Sequence, residues 1–163
     1  MSHTIILACG NQLRGDDGIA LHIACCLQEG YCDSETEIHC AQQWTPELAE
    51  RISKADLAIV VDASATIPAG AIRLQAVSSS KDWPGVTTHS LSPARLLALA
   101  RGLYEKVPGR AFLLTIGGES FGHGDEFSSP VRRAIPTALT QIRALISSVT
   151  LPEPDALPSA AIY

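Results

Sequence analysis

The sequence has no block of basic residues, no apolar run long enough to cross a membrane and no Cys-x-x-Cys pair. The formal net charge of −5, without a basic block, argues against nucleic acid or an anionic membrane surface as a partner. The first residues, Met1 to Thr4, lack a charged segment, and the apolar run from Ile5 to Ala8 is shorter than the core of a signal peptide. We therefore expect a cytoplasmic protein that binds neither nucleic acid nor membrane.

The cysteines are five in number, and their spacing predicts neither a disulfide framework nor a metal site. Cys25 and Cys26 are neighbours on a predicted helix, so their side chains diverge by about 100° and make a poor chelate. We interpret all of them as reduced, mostly buried thiols without a chemical role: Cys9, Cys25, Cys26, Cys32 and Cys40.

The composition, with 46% apolar and 18% charged residues in a chain of 163, is typical of a globular protein long enough to bury a sizeable core. We predict a single α/β domain over residues 1–150. The remaining residues, 151–163, contain three prolines and are predicted to form an irregular tail.

Strand and helix periodicities alternate along the chain. Strands are predicted at about 4–9, 37–41, 57–62, 71–77 and 111–116, and helices at about 18–29, 46–54, 93–107 and 130–147. The link between the third and fourth strands is only about eight residues, which is too short for a parallel crossover, so the fourth strand should be antiparallel. The sequence predicts a three-layer α/β/α sandwich with a five-stranded, mostly parallel sheet and one antiparallel edge strand.

Three chemically reactive side chains are predicted to meet at one edge of this sheet. Asp17 follows the first strand and Asp62 ends the third, and the carboxyl ends of parallel strands form the edge where ligands bind. His89 lies just before the third helix, which must begin at the same edge. Two carboxylates and one imidazole suit a divalent metal such as Zn, Ni or Mn, with positions left for water or substrate.

Each of these residues also has an ordinary interpretation. An aspartate after a strand often caps the following helix, which is the alternative for Asp16, and a lone histidine in a loop is usually hydrogen-bonded or solvated. Asp62 is harder to explain in this way, because an unpaired carboxylate at the end of a buried strand is costly. The other histidines and the acidic residues of the glycine-rich loop after the fifth strand are interpreted as outside the site: His3, His22, His39, His123, Glu119, Asp125 and Glu126.

Three motifs together resemble the hydrogenase maturation endopeptidases, which remove the C-terminal extension of the large subunit of nickel–iron hydrogenases. The motifs are Gly10-Asn11-x-Leu13-x-x-Asp16-Asp17-Gly18, Val61-Asp62-Ala63 and Thr87-Thr88-His89-Ser90-Leu91. The resemblance extends from about residue 4 to about residue 147. It implies an α/β/α sandwich, and it implies that Asp17, Asp62 and His89 are the catalytic residues that contact a metal.

The resemblance further implies a nickel-loaded hydrogenase large-subunit precursor as the partner, with nickel carried by the substrate. Zinc or another divalent ion could also occupy the site. One departure is Gln42-Gln43 after the second strand, where many members have a glycine pair. Two other classes stay open: a hydrolase with its own permanently bound divalent metal, and a receiver-like phospho-acceptor domain. The receiver class needs a lysine after the last strand, where this chain has Gly117-Gly118.

Overall fold

The computed structural model describes residues 2–30, 34–79 and 91–150. Five strands lie at β1 (Thr4–Cys9), β2 (Thr36–Ala41), β3 (Leu57–Ser64), β4 (Ile72–Ala76) and β5 (Arg110–Gly117). Four α-helices lie at α1 (Ile19–Gly30), α2 (Leu48–Ser53), α3 (Pro93–Tyr104) and α4 (Ser129–Thr150), and a 3₁₀ helix spans Gly15–Gly18. The predicted tail, 151–163, and Cys32 lie outside the described residues.

The strands form one sheet in the order β2-β1-β3-β5-β4. All neighbouring pairs are parallel except β4, which runs antiparallel to β5 at the edge. The prediction of an antiparallel edge strand is confirmed, and β1 and β3, which carry Asp17 and Asp62 to one edge, are neighbours in the sheet. This places the ends of β1 and β3 side by side at the carboxyl edge.

Alternate side chains of the three central strands, β1, β3 and β5, pack into two separate cores, one on each face of the sheet. On one face Ile6 and Ala8 of β1 pack with α1 and α4. On the other face Ile5 and Leu7 pack with α2 and α3. The side chains of β1 are buried on both faces, which explains the continuous apolar run from Ile5 to Ala8. The three-layer α/β/α sandwich predicted from the sequence is confirmed.

Several element boundaries differ from prediction by one to three residues, and two of these differences have a clear structural cause. β3 does not end at Asp62 but continues to Ser64, because its pairing with β5 continues through Asp62 opposite Thr115. α2 begins at Leu48 rather than at Pro46, because the backbone N–H of Leu48 donates to the Thr45 carbonyl in a tight turn. Asp62 therefore lies within a strand, where pairing with Thr115 of β5 fixes its backbone.

The outer surface holds two corrections. The helical periodicity of the sequence predicts Leu103 and Tyr104 on the buried face of α3, but they are 57% and 43% exposed at the uncovered end of the helix. The four described cysteines are free, and Cys25 and Cys40 are exposed, so the prediction of mostly buried thiols is wrong. The positions of these cysteines explain their exposure, since Cys25 lies on the outer side of α1 and Cys40 near the end of an edge strand.

No helix within the described parts of the chain is long and apolar enough to span a membrane.

Candidate active site at the carboxyl edge of the sheet

The loop between β1 and α1 folds back on itself around Asp17. The backbone N–H of Asn11 donates to Asp17 Oδ2 at 2.9 Å, and the N–H of Leu13 donates to Asn11 Oδ1 at 2.9 Å. Gly10 is required by this close approach, because a Cβ at that position would lie 1.9 Å from the Asp17 carbonyl oxygen. The glycine and asparagine of the first motif thus hold the carboxylate of Asp17 at the carboxyl edge.

Asp62 reaches the same edge from the neighbouring strand β3. Its Oδ1 accepts a hydrogen bond from the Ala63 N–H at 2.8 Å. The pKa of Asp62 is raised to about 6: burial is the largest cause, the Ala63 N–H acts against it, and the negative charge of Asp17 adds to the rise. The two predicted carboxylates are therefore close enough to repel each other in a partly desolvated setting.

Cys9, the last residue of β1, lies beside the same two carboxylates. Burial, followed by the charges of Asp62 and then Asp17, raises the pKa of the Cys9 thiol to about 12. The thiol stays protonated at neutral pH, and a protonated thiol is a poor nucleophile. Cys9 is not among the residues predicted for the site, although its position directly before Gly10 is a signal that could have placed it there.

Asp16 does not cap the first helix; it is a buried anchor for a distant loop. Its side chain is fully buried, with Oδ2 accepting from the N–H groups of Glu119 at 2.9 Å and Ser120 at 3.0 Å. Ser128 donates to Oδ1 through its N–H and to Oδ2 through its hydroxyl, both at 2.8 Å. Burial alone would raise the pKa of Asp16, but these four hydrogen bonds outweigh it and lower the pKa.

The anchored loop, residues 118–128, lies directly against the first motif. The N–H of Gly15 donates to the Gly124 carbonyl at 2.8 Å, and the N–H of Gly124 donates to the Leu13 carbonyl at 3.0 Å. Gly118 fits because it lacks a Cβ, which would lie 2.9 Å from the Asp16 Cβ. The side chains of the three acidic residues predicted to be solvated in this loop are exposed: Glu119, Asp125 and Glu126.

The third predicted ligand, His89, lies outside the described residues, and its role stays a prediction. The helix that follows it begins as predicted, with Ser92 as N-cap accepting from the Arg95 N–H at 3.3 Å. Since α3 leads into a parallel strand, its first residue, Pro93, belongs to the carboxyl edge. Within the described ranges no group of three or more His, Cys, Asp or Glu side chains is arranged to hold a metal ion.

No protein-family model and no curated protein matches the sequence. Solved structures do match the fold. The hydrogenase maturating endopeptidase HybD from E. coli superposes with a TM-score of 0.71 and 23% identity, covering 90% of this chain and 93% of that one. The [NiFe] hydrogenase maturation protease HycI from Thermococcus kodakarensis KOD1 superposes with a TM-score of 0.69 and 20% identity, covering 90% of this chain and 93% of that one.

A third structure, the hydrogenase 2 maturation peptidase from Thaumarchaeota archaeon SCGC_AB-539-E09, gives a TM-score of 0.67 and 18% identity, covering 89% of this chain and 98% of that one. The chain has the fold of the hydrogenase maturation endopeptidases. These solved structures match almost end to end, so the likeness concerns the whole sandwich, including the sheet edge that carries Asp17 and Asp62. Identities at this level establish the fold, and the activity requires its own argument.

Proposed function

We propose that this protein is an endopeptidase that removes the C-terminal extension of a nickel–iron hydrogenase large-subunit precursor. The observation that carries the proposal is the pair of carboxylates, Asp17 and Asp62, at the carboxyl edge of this fold. Solved proteins of the same fold are maturation peptidases. The first motif, the strand aspartate and the histidine motif appear in this chain in the order that the resemblance requires.

The chemistry of the carboxylate pair supports contact with a cation. Burial and the charge of Asp17 both raise the pKa of Asp62, so the ionised pair is destabilised when nothing positive lies nearby. A divalent ion would relieve this repulsion, and oxygen and imidazole donors suit a borderline metal such as nickel. We propose that Asp17, Asp62 and His89 contact the nickel carried by the precursor. Three protein ligands would leave room for ligands from the precursor and for water.

Two alternative classes are less well supported. In a receiver-like sheet all five strands run parallel, whereas β4 is antiparallel here, and Gly117-Gly118 stands where that class needs a lysine. A hydrolase with its own permanently bound divalent metal would use the same residues. Metal analysis of the purified protein separates it from the proposal, because a stoichiometric ion in the absence of precursor favours the permanently metallated enzyme.

The deciding experiment mixes the purified protein with nickel-loaded and with nickel-free precursor and follows the released C-terminal peptide by mass spectrometry. We expect release only from the nickel-loaded precursor. The matched controls are Asp62→Ala, which should release no peptide, and Glu126→Ala, which removes an exposed carboxylate of the anchored loop and should cleave normally. Equal cleavage of both precursors would refute nickel recognition, and no cleavage of either would refute the endopeptidase assignment.

A further inference from the structure

Leu13, in the loop that carries Asp17, projects into solvent. Its side chain is 69% exposed, and no other large apolar side chain in residues 2–30, 34–79 and 91–150 is as exposed. Single exposed leucines are common on protein surfaces and need no explanation by themselves. What distinguishes Leu13 is the way in which its backbone is held and what lies beside it.

The backbone of Leu13 is fixed on both sides by hydrogen bonds. Its N–H donates to Asn11 Oδ1 at 2.9 Å, and its carbonyl accepts from the Gly124 N–H at 3.0 Å. The next residue is held as well, since the Arg14 N–H donates to the Asn11 carbonyl at 3.1 Å. An apolar group that is already ordered loses little conformational entropy when it binds a partner. The loop therefore presents an apolar side chain on a backbone that is already ordered before a partner binds.

A pocket of about 290 Å³ opens next to this projection. Gln12, the neighbour of Leu13, lines it together with Asp125, the neighbour of Gly124, and Leu21 and Phe127 provide its apolar walls. The size is sufficient for a large side chain. The projection and the pocket thus form one continuous surface on the α1 side of the site, which we call the Leu13 surface.

We propose that the Leu13 surface is the docking surface for the hydrogenase precursor, with Leu13 packing against apolar side chains close to the scissile bond. The inference rests on the proposed function and deepens it. Asn11 links the two residues, since its Oδ1 accepts from the Leu13 N–H and its own N–H donates to Asp17 Oδ2, so a chain that reaches Asp17 passes close to Leu13. An apolar partner side chain gains from this contact, because burial removes both apolar surfaces from water.

The test compares steady-state cleavage by the wild type, Leu13→Ala and Leu13→Met. Removing most of the apolar contact area should raise KM about five- to twentyfold in Leu13→Ala, with kcat little changed, while Leu13→Met should retain nearly normal KM. The matched control is Leu103→Ala, which truncates a 57% exposed leucine near the end of α3. That helix begins at the carboxyl edge, so Leu103 lies towards the opposite edge of the sheet. The KM of Leu103→Ala should therefore equal that of the wild type. Unfolding free energies of all variants should match the wild type, since these side chains are exposed.

Calorimetric titration of the precursor into Asp62→Ala, and into the same protein with Leu13→Ala, tests docking without cleavage. If Leu13→Ala weakens binding of the precursor, the docking surface is supported, even if the wild type releases no peptide. A wild type that releases no peptide overturns only the proposed endopeptidase activity. Unchanged binding and KM in Leu13→Ala, equal effects at Leu103, or no binding of the precursor at all would overturn the docking surface.

Discussion

Asp16 and Asp17 are neighbours in sequence and have opposite environments. Asp16 is fully buried and accepts four hydrogen bonds from the loop that follows β5. Asp17 is partly exposed, accepts from the nearby Asn11 N–H, and faces Asp62 across the ends of two strands. Successive residues of a 3₁₀ helix point about 120° apart. The side chain of Asp16 therefore points to the loop after β5, while that of Asp17 points to the sheet edge.

The comparison teaches that enough hydrogen-bond donors can outweigh burial in setting the pKa of a carboxylate. Burial would raise the pKa of Asp16, but its four hydrogen bonds together lower it. Asp62, which shares its edge with Asp17, has the Ala63 N–H as its hydrogen-bond donor, and its pKa rises to about 6. We therefore interpret Asp16 as an anchor that stabilises the fold and the Asp17–Asp62 pair as the chemical centre.

The largest expected effect is on the pair. Asp17→Ala, Asp62→Ala and His89→Ala should each remain folded and lose peptide release by at least about a hundredfold, because each removes a proposed contact to the nickel of the substrate. Circular dichroism establishes the fold, and mass spectrometry of the precursor measures release. Normal processing by folded Asp62→Ala would contradict the site.

The next effect is on stability at Asp16. Asp16→Ala leaves three backbone N–H groups and a hydroxyl of the anchored loop without their acceptor, and we expect it to lower the free energy of unfolding by about 3 kcal/mol. Urea unfolding measures the loss. Ser128→Ala, which removes a single hydroxyl donor, should cost about 1 kcal/mol. If Asp16→Ala and Ser128→Ala lowered the free energy of unfolding by the same small amount, Asp16 would not be a structural anchor. The contrast with Asp17 would then be lost.

Replacing Asp62 should have a smaller effect on the free energy of unfolding, and one of opposite sign to that of Asp16→Ala. Because its pKa in the folded state is raised from 3.8 to about 6, protonation favours folding, and this stability is present below about pH 4 and lost as pH rises through about 6. Asp62→Asn should therefore be about 1 kcal/mol more stable than the wild type at pH 7.5, a value reduced for partial exposure, with little difference at pH 4.

The contribution of Asp16 to stability depends on pH in the opposite direction. Its lowered pKa gives stability that is present at neutral pH and lost as pH falls below about 4. Urea unfolding of the wild type and Asp62→Asn between pH 4 and 8 measures the Asp62 contribution. If the substitution destabilised the protein at pH 7.5, the electrostatic interpretation of the pair would be wrong.

The smallest effect on chemistry is expected from the cysteines. Replacing all five with Ser or Ala should lower stability mainly through buried Cys9, since Cys25 and Cys40 are exposed, and the folded fraction should still cleave. The protonated Cys9 thiol has no nucleophilic role to lose. Cleavage per folded molecule measures this, and its loss in a stable variant would revive a thiol mechanism.

Local periodicity and loop length by themselves determined most of the architecture. The alternation of strand and helix patterns gave the layers, and the short link after Asp62 predicted the antiparallel edge strand, because a chain of that length cannot cross over the sheet. The same alternation predicted that the carboxyl ends of β1 and β3 bring Asp17 and Asp62 to one edge.

Only the tertiary structure decided the roles of the residues around that pair. The donors to Asp16 lie 103 to 112 positions away in the sequence, and such partners leave no local pattern at either end. The burial of Cys9 beside two carboxylates and the exposure of Leu103 likewise depend on which layers cover each element. A helical or strand period states which side of an element is apolar, but the extent of the neighbouring layer decides how much of that side is covered.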